Sequence, residues 1–183
     1  MRAPPPSRWL AAFLVVTLWY APARAAAPPP GSAPPVAAVW VTRHVNYVYR
    51  GTTALYSCRG LKSEIEDLLT RLGARRLRVQ ECAVTDRPIM FPSVRVTLQT
   101  LVPAAHGEGR PTVAAHWRRV RLFPQMRQGG SCELIEEFRR TFLPLFAARN
   151  IDMSATCVPH HHVPGNHLYV DVLSADSHTP GPR

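Results

Sequence analysis

The sequence predicts an α+β domain of two βαββ-like halves, with a largely antiparallel sheet, two helices packed on one face and a disulfide stapling each half. Three observations point there. Four cysteines fall into two pairs, Cys58 with Cys82 and Cys132 with Cys157, at separations of 24 and 25 residues. Each pair brackets a stretch with apolar residues at helical spacing and then a short stretch with alternating residues. A further alternating stretch follows each pair, beginning 12 residues on at Val94 and 11 residues on at Leu168.

Arg2 and Arg8 precede an apolar run from Trp9 to Tyr20, and Ala23-Arg24-Ala25 supplies a small-x-small cleavage pattern, so residues 1–25 read as a secretory signal. A run of about a dozen residues is short of the roughly 20 that span a bilayer, so no transmembrane segment is expected once the signal is removed. Its loss takes three arginines and no acid, lowering the formal charge from +10 to +7. Residues 26–38, rich in alanine and proline, read as a flexible lead-in. A single domain is expected over 39–173 and a disordered tail over 174–183.

Arg43 to Tyr56 is rich in tyrosine, valine and threonine and reads as a bent strand or a hairpin turning at Arg50-Gly51. Leu61, Ile65, Leu68, Leu69 and Leu72 then form one helical stripe, with Glu64, Glu66 and Asp67 early and Arg71, Arg75 and Arg76 late, as the helix dipole favours. Gly73 provides a left-handed stop. Leu77 and Val79 alternate with polar residues up to Cys82, and Val94, Val96 and Leu98 alternate with Arg95, Thr97 and Gln99. In the second half Trp117, Val120 and Leu122 make a strand. Leu134, Phe138, Phe142, Leu145 and Phe146 make the second helical stripe behind Glu133, Glu136 and Glu137. Pro144 should kink or end that helix. Asn150 can take a left-handed stop, Ile151 and Met153 alternate toward Cys157, and Leu168, Val170 and Val172 form the last strand.

In an exported chain an even cysteine count reads as a disulfide framework, and four cysteines allow three pairings. Local pairing, Cys58 to Cys82 and Cys132 to Cys157, is chosen because each bridge then ties the start of a helix to the strand beside it. A competing reading makes Cys132 the nucleophile of a thiol hydrolase, since Gly-Gly-Ser-Cys at a helix start resembles papain-like peptidases over four residues. Glu133 stands where that family has tryptophan or tyrosine, and His160 to His162 follow too closely. Cys58, matching Cys132, lacks the glycine run.

His160, His161, His162 and His167 form the one cluster with metal-ligand chemistry, and a metal-binding protein built on His160, His162 and His167 is the alternative function. No catalytic set is found: His-Glu-x-x-His, Gly-x-Ser-x-Gly, a phosphate-cradling glycine loop and Ser-x-x-Lys are absent from the sequence, so no cofactor is assigned. Arginines at 71, 75, 76 and 78 and at 118, 119, 121 and 127 offer a basic surface. For an exported protein, in the periplasm or outside the cell, that surface suits an anionic envelope component or an acidic protein, and nucleic acid is not expected.

Tyr-Ser-Cys followed by Gly-Leu, Phe-Pro-x-Val-Arg-Val, Cys-Glu-Leu-Ile-Glu-x-Phe and Thr-Cys-Val-Pro together resemble a family of small uncharacterised exported bacterial proteins over roughly residues 43–173. The resemblance implies export and brings no activity or catalytic residue. The function expected is that of a non-catalytic exported domain that binds or supports a cell-envelope component through a basic surface.

Overall fold

The computed structural model describes residues 34–52, 54–83, 87–104, 111–122, 131–158 and 166–175. The expected signal, most of the lead-in, His160 to His162 and the chain beyond Ala175 lie outside them. The elements are β1 (Val36–Val48), α1 (Cys58–Arg71), β2 (Arg75–Glu81), β3 (Ser93–Pro103), β4 (Val113–Leu122), α2 (Ser131–Thr141), a 3-10 turn (Leu143–Leu145), β5 (Ala148–Ser154) and β6 (His167–Ala175). All strands join one antiparallel sheet in the order β2-β3-β1-β4-β6-β5. Both local disulfides form, Cys58 with Cys82 and Cys132 with Cys157.

Matching β4, α2, β5 and β6 to β1, α1, β2 and β3 makes the strand order read the same from either end. β1 and β4 meet in the middle through only three pairs, Val36 with Ala115, Ala37 with Ala114 and Ala38 with Val113. Val45 lies opposite Val96 and Val120 opposite Val170. The shift that carries Val45 onto Val120 carries Ala38 onto Val113, its own partner. An approximate two-fold axis therefore passes through the Ala38–Val113 pair.

One core joins the halves. Leu61, Ile65, Leu68, Leu69 and Leu72, the residues of the first helical stripe, are all buried, and so are Leu134, Phe138, Phe142 and Phe146 of the second. They pack against Val94, Val96, Leu98, Val120, Leu122, Leu168, Val170 and Val172 on one face of the sheet. Each helix also holds the first strand of the other half. Tyr47 of β1 donates to Glu137 of α2 at 2.5 Å and packs edge-on against Phe142, while Arg118 of β4 donates from Nη2 to the Arg71 carbonyl at the end of α1 at 2.8 Å. Thr100, fully buried on β3, donates to the Leu145 carbonyl at 2.8 Å.

Local signals set the ends. Ser57 caps α1, its hydroxyl accepting from the Gly60 amide at 3.0 Å. Gly73, at φ +86°, stops it. Pro144 sits in the 3-10 turn that follows α2.

Several expectations shift. β1 begins at Val36, inside the segment read as lead-in, and Tyr56 leaves the strand to form a bridge with Ile89. Alanines carry no strand periodicity, yet Ala37, Ala38, Ala114 and Ala115 take part in the pairing that joins the two central strands. β6 likewise runs to Ala175, past the expected start of the tail. Glu64, Glu66 and Asp67 fall in the middle of α1, beyond reach of its N-terminal dipole, and Asp67 instead pairs with Arg71 at 2.8 Å. Asn150 is left-handed at φ +51°, but within a bulge of β5; Arg76, at φ +47°, lies in the matching bulge of β2 and not in the first helix.

Candidate anion-binding face

Alternation along the strands sends every second side chain to the face without helices. Close to the two-fold axis this face is apolar: Ala38, Leu101, Ala115 and Leu173 are buried there, packed by Val36, Trp40, Val113, Trp117, Ala147 and Ala175. Away from the axis it carries three arginines on each wing.

In the first half, register pairs Arg75 with Gln99, Arg78 with Thr97 and Gln80 with Arg95, which places Arg75, Arg78 and Arg95 on the helix-free face, all exposed. The Arg75 guanidinium lies over the Trp40 ring, 4.9 Å from its centroid. The one acid in these three strands, Glu81, pairs with Val94 and so points to the helix side.

The second half repeats the device. Arg119, Arg121 and Arg149 are exposed on the same face, and Arg149 lies over Trp117, 4.1 Å from the centroid. Arg119 and Arg121 flank Tyr169, each at 5.5 Å. Two acids accompany them. Asp171 accepts from Asn150 at 2.7 Å and from Arg119 at 3.2 Å, with Arg149 Nε 4.0 Å away. The Asn150 amide, aided by the Arg119 hydrogen bond and the charges of Arg119 and Arg149, holds the Asp171 carboxyl below the usual aspartate range. Asp152 faces His167 at 3.4 Å. Of these arginines the sequence marks Arg75, Arg78, Arg119 and Arg121 as a basic surface and shows Arg95 only in the alternation of its strand. It missed the two tryptophan stacks, because Arg75 and Trp40 sit on strands separated by β3.

Glu133 and Glu137, which the sequence places at the start of the second helix, hold the chain after β1. Glu137 accepts from Tyr47 and from the Arg50 backbone amide at 3.1 Å, and Glu133 accepts from Tyr49 at 3.3 Å and Thr52 at 3.2 Å. Burial, with these carboxylates adding, pushes the Tyr47 and Tyr49 phenols far above their usual range. Tyr56 packs edge-on against Tyr49 and is raised likewise, mainly by burial. Such phenols stay protonated at physiological pH and serve as donors. The cluster fastens the chain after β1 to α2.

The remaining sequence candidates separate. Cys132 is bonded to Cys157, so the thiol-hydrolase reading loses its nucleophile, and among the described residues no cysteine is free. His160 and His162 lie outside the described residues. His167, on β6, is engaged with Asp152 and stacks near Tyr169, while His44 contacts Thr97 from β1. Among the described residues no group of three or more histidines, cysteines or acids is placed to hold a metal. An open groove of about 330 Å³ between the ends of β1, β2 and β3 is bordered by Cys82, Asn46, Arg95 and a single acid, Glu81. No helix among the described residues is long and apolar enough to cross a membrane. Compared with family models, curated proteins and solved structures, the chain matches none.

Proposed function

We propose that this chain is an exported, non-catalytic domain that binds an anionic component of the cell envelope through the helix-free face of its sheet. The observation that carries the reading is the placement of six exposed arginines, 75, 78, 95, 119, 121 and 149, on that one face, with Asp152 and Asp171 as its strand acids. Guanidinium groups pair with carboxylate and phosphate oxygens through two parallel hydrogen bonds, and stacking on an indole or phenol holds them pre-oriented. Export is supported by Arg2, Arg8, the apolar run and the Ala23-Arg24-Ala25 pattern, and by two disulfides, which persist in oxidising compartments.

The test is binding of the purified domain to anionic envelope fractions as salt is raised. Affinity should fall steeply with ionic strength and collapse in the variant Arg78→Ala/Arg95→Ala/Arg119→Ala/Arg121→Ala, while Arg139→Ala/Arg140→Ala on α2 binds normally. Salt-independent binding, or equal loss in both variants, overturns the assignment to this face. N-terminal sequencing of the protein from fractionated cells tests export; an intact Met1 in cytosolic material contradicts it.

A further inference from the structure

The arginines of the two halves form separate groups. The Arg75–Trp40 and Arg149–Trp117 stacks belong to different halves, on opposite sides of the two-fold axis, and what lies between them is buried apolar packing by Ala38, Leu101, Ala115 and Leu173. Extending the β1–β4 register puts Trp40 and Trp117 six residue steps apart along the strand direction, on the order of 20 Å at 3.3 Å per step. A ligand the size of one phosphate or one carboxylate touches one wing. Contact with both requires a molecule carrying negative charge along its length.

Sheet twist decides between the extended anions available at an envelope. Neighbouring strands rotate by about 20–25°, so the sheet turns through roughly 60–75° over the three steps from β2, which carries Arg75 and Arg78, to β4, which carries Arg119 and Arg121. The two wings therefore face different directions. A flat anionic bilayer meets one of them well, whereas a flexible chain follows the turn and reaches both.

We propose that the ligand of this face is a linear polyanion that bridges the two wings, each half supplying one subsite; this rests on the anion-binding reading above. Binding at the second wing is then intramolecular, and affinity rises through effective concentration without new kinds of contact.

A length series of linear oligogalacturonates, titrated calorimetrically at fixed low salt, tests it. Short oligomers are expected to bind weakly with two per protein. The same register sets Arg75 and Arg119 ten steps apart, roughly 33 Å, so oligomers longer than that should bind one per protein, tighter by about 100-fold. Arg75→Ala/Arg78→Ala and Arg119→Ala/Arg121→Ala, all exposed positions whose fold is checked by thermal melting, should each abolish the step and leave one short oligomer bound. A smooth rise with length, or one wing variant removing all binding, overturns the bridging while leaving anion binding intact. Vesicles of phosphatidylglycerol that outcompete the longest oligomer would replace the polymer by a membrane surface. Binding to neither probe overturns the anion-binding reading itself.

Discussion

Tyr47 of β1 donates its phenolic hydrogen to Glu137 of α2, a bond that joins the first strand of one half to the helix of the other across 90 positions of sequence. Glu137 also accepts the Arg50 amide, so one carboxylate holds two donors. Glu137→Ala strands both and is expected to destabilise by about 2 kcal/mol, with Tyr47→Phe costing about 1 kcal/mol because the phenyl ring keeps its packing on Phe142. Urea denaturation measures both. Changes within experimental error in the two variants would show that the tie contributes nothing to folding.

Each disulfide closes a loop of about 25 residues, worth about 3.5 kcal/mol on the chain-entropy account. Cys58→Ser/Cys82→Ser and Cys132→Ser/Cys157→Ser should lose similar stability, since the loops are nearly equal. Peptide mapping of the unreduced wild type should find only the two local bridges. Any peptide linking Cys58 or Cys82 to Cys132 or Cys157 contradicts the fold.

Two glycines are required for different reasons. A Cβ on Gly51 would run into the Tyr49 hydroxyl and Glu133, so Gly51→Ala displaces that hydrogen bond and should cost about 1–3 kcal/mol. At Gly73 there is open space but a left-handed backbone, so Gly73→Ala should cost roughly 1–2 kcal/mol from strain alone. Gly73→Asn, which tolerates that conformation better, should recover part of the loss, whereas Gly51→Asn should not. Thermal melts of the four variants distinguish the two causes.

Asp171 gives stability a defined pH dependence. Its folded carboxyl titrates below the ordinary value of 3.8, so its contribution is complete above that value and is lost as pH falls through the lower folded one. Asp171→Asn should therefore lose stability at neutral pH and lack this component of acid destabilisation. Wild-type and variant curves that run parallel down the acid limb would show that the network with Asn150 and Arg119 does not couple to folding.

What the sequence made legible was set by how local each signal is. The stripe from Leu61 to Leu72 and the alternation of Val94, Val96 and Leu98 report burial within one element, and the structure buries all of those residues. The cysteine pairing was readable because matched spacing places each pair at the same points of its half. Less visible was whatever depends on which strands meet. Val36 to Ala38 lack any pattern, and their role as the sheet's joint exists only through Val113 to Ala115. The arginines were plain in the sequence, but their gathering on one face needed the register across five strand contacts. Arg75 over Trp40 and Arg149 over Trp117 needed the intervening strands as well.

The joint at the two-fold axis has a further consequence. Val36 and Ala175 both pair with Ala115, from opposite sides, so the two ends of the sheet's chain lie about 10 Å apart. Pro103 and Val113 flank Ala38 in the same way, and the connection between them already spans that gap. A circular permutant that opens there and splices Ala175 to Val36 through a linker of similar length should regain the wild-type melt. Which half is translated first is a matter of indifference to this architecture.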